Sequence, residues 1–327
     1  MIRITGWLRS AALAGALLTL AGAALAQNYP NKPVRVIIGQ PPGGIQDLIA
    51  RSMSNELQKL WGQPVTLDNR VGATGVVAGV AAARSAPDGY TIFFSTATNM
   101  NSAQFLQKDL PYHPEKDFVP VVGLGQSLSM LVAGPHLGVS TTKELVEKAK
   151  ADPGKLNYGT FGVASAAHFD AESFAREAGI KVVHVPFKGV NEVIAAMLGG
   201  NVDFAIIALS SAIPPVNSGK LKGLGYLGSK RTPALPQVPT LAEAGYGNFE
   251  SGGMFAFYVP AGTPQAVMDK IAADANKVRS GEYYQQKVLA ANGIEDLPLS
   301  GAALIKRFDY SRVEFQKRIS GLDLQLR

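Results

Sequence analysis

Two short stretches carry the residue types from which a binding chemistry could be built. The first is Gln40-Pro41-Pro42-Gly43-Gly44-Ile45-Gln46-Asp47. It follows an apolar run, residues 34–38, that reads as a buried strand. It precedes residues 48–60, which read as an amphipathic helix. Pro42 has no N–H with which to continue a ladder. Gly43 and Gly44 allow backbone conformations that other residues avoid and let a ligand reach the main chain. The first N–H groups of the helix then point outward without partners, with the positive end of the helix dipole behind them. Such a turn offers capture of an anionic small molecule by backbone donors. A plain strand-to-helix turn accounts for the same residues, because glycine-rich turns are common in α/β proteins.

The second stretch is Thr160-Phe161-Gly162-Val163-Ala164-Ser165-Ala166-Ala167-His168, again between a strand and a helix. Small side chains there let a carboxylate reach the helix N-terminus. Ser165 suits a helix cap and could also face a ligand; the cap is the stronger reading. If the two turns belong to facing lobes, two helix N-termini converge on one cleft. Asp47 in a first helical turn is favoured by the dipole. It reads as support for the turn rather than as a ligand contact, with an ammonium group or a bridging water as other partners. Asp203, in Asn201-Val202-Asp203-Phe204, alternates with apolar neighbours and is either exposed or turned towards a cleft. The polar tip after residues 90–95, which includes Thr96 and Ala97, completes the set of candidate ligand-binding positions.

Catalysis has weaker support. The histidines are His113, His136, His168 and His184, and no pair has metal-ligand spacing. His184 falls in an apolar run and reads as a core histidine, whereas His168 sits in a first helical turn. Ser165 and His168 are three residues apart and could share a helix face. A secreted hydrolase using them is the alternative from another class, but no acid is placed to orient the histidine. Gly-x-Ser-x-Gly, a Walker sequence and a Gly-x-Gly-x-x-Gly opening are all absent. No cofactor or metal is indicated.

The elements that must position these stretches follow a regular order. Strands are expected at residues 34–38, 63–70, 90–95, 156–160, 182–185, 202–209, 221–227 and 255–259. Helices are expected at 48–60, 76–84, 141–151, 166–178, 191–198, 265–279, 283–291 and 301–319. This βαβαβ alternation argues for mostly parallel sheets covered by helices, and its recurrence for two similar lobes.

The 327 residues are 46% hydrophobic and 17% charged, enough for one large or two medium domains. Arg3 and Arg9, an apolar run at residues 11–20 and Ala24-Leu25-Ala26 read as a cleavable signal peptide, with the mature chain starting at Gln27. No later stretch is long and apolar enough to span a bilayer. Cysteine is absent, which removes disulfides, thiolate metal sites and a Cys nucleophile. The periplasm is the expected compartment. The net charge is +6, but the basic residues are scattered without interleaved aromatics, so nucleic-acid binding is not supported.

The chain resembles the substrate-binding proteins of tripartite tricarboxylate transporters, of the Bug type. The likeness runs through Tyr29-Pro30-Asn31-Lys32-Pro33-Val34-Arg35, Pro41-Pro42-Gly43-Gly44 with Asp47, Gly62-Gln63-Pro64-Val65, Asn69-Arg70 and Ala86-Pro87-Asp88-Gly89-Tyr90-Thr91. It continues through Asp117-Phe118-Val119-Pro120-Val121, Pro153-Gly154-Lys155-Leu156-Asn157-Tyr158, His184-Val185-Pro186-Phe187-Lys188-Gly189 and Gly219-Lys220-Leu221. It ends with Val238-Pro239-Thr240-Leu241-Ala242-Glu243-Ala244-Gly245 and Pro260-Ala261-Gly262-Thr263-Pro264. Each piece is weak alone; in this order they are specific.

The resemblance implies a type II periplasmic-binding-protein fold, two α/β lobes joined by two crossover strands with a ligand cleft between them. Lobe 1 would hold residues 27–125 and 252–327, lobe 2 residues 126–251, after a signal peptide at 1–26. It implies a monomeric receptor, without enzymatic activity, that closes on a small carboxylate and delivers it to a membrane permease; the family, rather than sequence physics, separates this from an ABC-type importer. Carboxylate capture would map onto Gly43, Gly44, Ile45, Gln46 and Asp47 in one lobe and onto Thr160, Ala164, Ser165 and His168 in the other. Thr96, Ala97 and Asp203 would complete the cleft. Ile45-Gln46 stand where Ser-Thr is usual, Gln40 where Phe is usual, Gly189-Val190-Asn191-Glu192 where the family has Gly-x-x-Pro, and Met254-Phe255 where Trp is common. These departures point away from amino-acid and citrate-like ligands, towards a carboxylate with a less polar body, dicarboxylic and aromatic acids among them.

Overall fold

The computed structural model describes residues 29–72, 75–106, 109–163, 165–228, 230–247 and 253–319. The expected signal peptide and Ala164 lie outside the described residues. The chain divides into two compact units. The first comprises the described residues up to Leu124, with Phe255–Val288 and Pro298–Arg307; the second comprises Gly125–Met254, Leu289–Leu297 and the described residues from Phe308 on.

Unit 1 is built from three strand-helix pairs. Strands β1 (Val34–Ile38), β2 (Val65–Asn69) and β3 (Thr91–Thr96) are each followed by a helix: α1 (Ile45–Trp61), α2 (Val76–Ala83) and α3 (Ala97–Leu106). Both β2 and β3 run parallel to β1, with Val34 beside Val65 and Arg35 beside Thr91. Val36, Ile37 and Ile38 are fully buried, as a central strand covered on both faces requires. Helix α1 buries Ile49, Ala50, Met53 and Leu57, the spacing of one helical face. Gly62 ends it in a left-handed conformation at φ 65°, where glycine carries no steric penalty. A short helix α4 (Pro114–Asp117) precedes β4 (Phe118–Ser127), and β5 (Ser129–Ala133) follows it.

Unit 2 repeats the arrangement. Strands β6 (Asn157–Thr160), β7 (Val183–Pro186) and β8 (Phe204–Ala208) are followed by α6 (Ala166–Ala178), α7 (Val190–Leu198) and α8 (Leu209–Asn217), while α5 (Thr142–Ala151) precedes them. Both β7 and β8 run parallel to β6. The period of two along β5 and β8 divides the core. Leu131, Phe204 and Ile206 pack with Leu145 and Phe174 on one face. Met130, Val132 and Ile207 pack with Val193 and Met197 on the other.

Strands β9 (Lys222–Leu227), β10 (Met254–Pro260) and β11 (Ile294–Glu295) complete the sheets, with α9 (Gln265–Arg279) and α10 (Gly301–Ile319). The orders are β11-β4-β10-β3-β1-β2 and β7-β6-β8-β5-β9. In both, the first strand of the strand-helix series is flanked by the second and third, and an antiparallel strand adjoins the third: β10 on β3, and β5 on β8. The expectation of mostly parallel sheets is therefore corrected to mixed ones. The crossover strands cause this: the division between units falls within β4 and at the start of β10, and strands entering from the other unit run against the local series.

Four further differences follow. The polar tip after β3 is the first turn of α3 rather than a loop. Helix α8 was not expected; Pro214 and Pro215 are accommodated in it because their carbonyls accept from Ser218 and Lys220 N–H at 3.1 and 2.9 Å, at its acceptor end. Residues 284–289 form a π-helical turn where a regular helix was expected. The C-terminal part was expected wholly in lobe 1, yet residues 289–297 and those from Phe308 on cluster with unit 2. The Phe315 ring meets Phe169 edge-on at 5.3 Å, and Tyr226 Oη donates to Glu295 Oε1 at 2.6 Å.

Candidate capture turns

In unit 1 the C-terminal ends of β1, β2 and β3 share one edge of the sheet, so the turns entering α1, α2 and α3 gather there. Ligands of open α/β sheets bind at this edge. The turn after β1 packs backbone to backbone on the turn after β2: a Cβ on Gly39 would stand 2.7 Å from Gly75 Cα. Gly43 takes φ 91°, which restricts the position to glycine. A Cβ there would meet nothing within 4 Å, so conformation and not space imposes the residue.

Asp47 fixes this turn. Its Oδ2 accepts from Gly43 N–H at 3.2 Å and from Arg51 Nε at 3.2 Å. Its Oδ1 accepts from Arg51 Nη2 at 2.9 Å and from Asn69 Nδ2 at 3.3 Å. Asn69 also donates to the Gln40 carbonyl at 2.9 Å, tying the end of β2 to the turn. Burial opposes the Asp47 charge, but the hydrogen bonds from Arg51, Gly43 and Asn69 outweigh it and hold the carboxyl below its usual range. The N–H of Gly43, expected to be open to a ligand, is thus already engaged. The free donors lie further on: Gly44 caps α1 without a side-chain bond, the first intrahelical bond is Leu48 N–H to Gly44 O at 3.0 Å, and the N–H groups of Ile45 and Gln46 have no acceptor among the described residues. Thr96 and Ala97 reach the same edge. Both are buried, and Thr96 Oγ1 accepts from Asn99 N–H at 3.0 Å, a capping role.

In unit 2 the turn after β6 is held by neutral groups. Ser165 caps α6, its hydroxyl accepting from His168 N–H at 3.3 Å. Thr160 Oγ1 donates to Gly162 O at 3.0 Å and accepts from Gly162 N–H at 3.3 Å. It also meets His184 Nε2 at 2.6 Å. The His168 and His184 rings stack at 3.9 Å and 15°, and Tyr158 stacks on His184 at 5.1 Å. Tyr158 Oη donates to Glu172, one helical turn beyond His168. Desolvation lowers the His168 pKa against the pull of Glu172, and desolvation together with His168 lowers that of His184 to about 4. Both rings are neutral at pH 7.

His184 was expected in the core. It is half-buried, because β7 is a sheet edge whose residues are exposed or half-exposed. Asp203 lies away from the other unit 2 candidates. It precedes β8 and binds at the opposite end of β6 from Thr160: its Oδ2 accepts from Asn157 N–H at 2.7 Å, and its Oδ1 meets His136 Nε2 at 3.1 Å. The alternation that suggested a cleft position assumed a strand from residue 202, whereas β8 begins at Phe204. Sequence reasoning missed Arg51 and Asn69; the four-residue spacing of Asp47 and Arg51 on a helix was the available signal.

A family model described as the tripartite tricarboxylate transporter family receptor matches residues 49–319. The chain belongs to this family. Protein BugT of Bordetella pertussis is 34% identical over 264 residues, covering 80% of this chain and 81% of that one. Among solved structures, an R. palustris protein with adipate superposes with a TM-score of 0.74 at 26% identity, covering 90% of this chain and 98% of that one. MatC from Rhodopseudomonas palustris with bound malate gives 0.68 at 27% identity, with 89% and 98% covered. Family and fold are those of solute-binding receptors, not of enzymes, and the Ser165 hydroxyl of the alternative hydrolase serves as a helix cap. Among the described residues no helix is long and apolar enough to cross a membrane, and no group of three His, Cys, Asp or Glu could hold a metal ion.

Proposed function

We propose that this receptor works in the periplasm as a monomer, captures a small carboxylate through the turns after β1 and β6, and delivers it to a tripartite tricarboxylate transporter permease. One observation carries the reading. In each turn the side chains secure the turn itself, while the first N–H groups of the following helix, those of Ile45 and Gln46 and those of Ala166 and Ala167, have no acceptor among the described residues. Backbone donors with the helix dipole behind them suit a carboxylate.

The ligand we infer has an apolar body. Phe161 and Val163, on the turn after β6, are 38% and 53% exposed, and Ile45 replaces a hydroxyl donor with a hydrocarbon. The polar side chains of that turn, Thr160 and Ser165, are engaged within it. Adipate in the R. palustris protein has such a body, whereas malate in MatC adds a hydroxyl.

Calorimetric titration with adipate, malate and terephthalate tests this. Tighter binding of adipate or terephthalate than of malate is expected, together with a loss on Phe161→Ser. Tighter binding of malate, or an unaffected Phe161→Ser, contradicts the apolar body. Binding of none of the three and of no further carboxylate contradicts capture.

A further inference from the structure

We infer that His184 is a positioning residue for the turn after β6: its Nε2–H holds the Thr160 hydroxyl in the one orientation that lets that hydroxyl close the turn at Gly162. The inference rests on reading residues 160–165 as a capture turn, but its tests do not depend on a ligand.

The argument is a proton count. A hydroxyl has one proton to donate and two lone pairs with which to accept. Thr160 Oγ1 lies 3.0 Å from Gly162 O, which only accepts, and 3.3 Å from Gly162 N, which only donates. Its proton therefore goes to the carbonyl. The third neighbour, His184 Nε2 at 2.6 Å, must then be the donor, and the Nε2–H tautomer follows. With the other tautomer the hydroxyl would turn its proton to the ring, and Gly162 O would keep only the longer bond from Ser165 N–H at 3.3 Å. Thr160 is almost wholly buried, so water is a poor substitute there.

The surroundings aim the ring. Tyr158 and His184 are register partners on adjacent parallel strands, and the period of two puts Thr160 on the same sheet face as Tyr158. Helix α6 covers that face and contributes His168, parallel to the His184 ring at 3.9 Å. Tyr158 lies against His184 at 23° between planes and is anchored by Glu172 of the same helix. With His168 stacked on it and Tyr158 packed beside it, 6.3 Å from His168, the ring has little rotational freedom and its Nε2 stays on Thr160. The neighbouring strand β7 thus sets a turn that it does not belong to.

Long-range proton–nitrogen spectra of the imidazoles in the unaltered full chain test the first step. A neutral His184 protonated at Nε2 is expected; protonation at Nδ1 overturns the inference. Amide exchange of residues 160–165 tests the second. Removing the donor (His184→Phe) or the hydroxyl (Thr160→Val) should speed exchange in the turn by about tenfold, as loss of a hydrogen bond does. The double variant should add little, and His184→Gln, which keeps a donor at similar reach, should restore protection. Unchanged exchange in both single variants, or independent effects that add in the double variant, overturns it. If His184→Phe does not fold, the tautomer and Thr160→Val still decide. Failure of carboxylate binding with these results intact would overturn the capture reading and leave the positioning role standing.

Discussion

In unit 1 the turn after the central strand is held by an ionised carboxylate, in unit 2 by neutral imidazoles and a hydroxyl. The strand orders match, β2-β1-β3-β10 against β7-β6-β8-β5, and in both a glycine with positive φ sits in the turn, Gly43 at 91° and Gly162 at 129°. The side chains differ completely. Asp47, Arg51 and Asn69 brace the first; Thr160, His184 and His168 brace the second. Topology therefore fixes where a βα turn and its helix N-terminus fall, but not the device that stiffens it. The two devices respond to different conditions, and this makes the comparison testable.

The largest effect should come from Gly43→Val. A β-branched residue at φ 91° carries about 2 kcal/mol of strain, which corresponds to about thirtyfold in affinity if it falls on the bound form. Carboxylate affinity should collapse by at least this factor, with a smaller change in melting temperature; unchanged affinity by calorimetry would remove the turn after β1 from the site. Asp47→Ala should follow. It leaves Gly43 N–H and Asn69 without their shared acceptor and should cost about 2 kcal/mol in denaturant unfolding. A cost near zero would make the ion pair with half-exposed Arg51 incidental.

Acid should separate the units. The His184 pKa is lowered in the fold from 6.5 to about 4. Between those values the unfolded chain binds more protons, so the stabilisation is complete above 6.5 and is lost as the pH falls towards 4. The Asp47 carboxyl lies below its ordinary 3.8, so its contribution persists until the pH falls below that value. Amide protection factors in residues 160–165 should drop first on acidification, with those of 43–47 following only below about pH 4. The reverse order would contradict the assignment of a charged brace to one turn and neutral braces to the other. The smallest effect is expected from Ser165→Ala, about 1 kcal/mol for a lost cap with a modest loss of affinity. A strong binding defect at unchanged stability would promote Ser165 from cap to ligand contact.

How much of this was legible follows from how local each signal is. Helices α6, α9 and α10 match the expected ranges because their ends are written in neighbouring residues, such as Ser165 and Gly179 for α6. Helix α1 begins three residues earlier than its apolar period suggested, since Gly44 caps it without a side chain. The antiparallel strands could not be read from alternation, because their partners lie far away in the chain. The surroundings of Asp203 and His184 were not legible either: one depended on where β8 begins, the other on β7 lying at an edge. Asp47 as a turn brace was legible from the dipole argument alone, but Asn69, its partner from β2, needed the fold.

The central claim is that the backbone donors of these turns take a carboxylate. A thermal-shift screen of the whole chain against mono- and dicarboxylates, run in parallel on Gly43→Val, measures this most directly, because a ligand that prefers the folded state raises the melting temperature by mass action. The account predicts that at least one carboxylate with an apolar body raises the melting temperature in a concentration-dependent way, and that Gly43→Val abolishes the rise. A panel without any shift, or an equal shift in Gly43→Val, would contradict it.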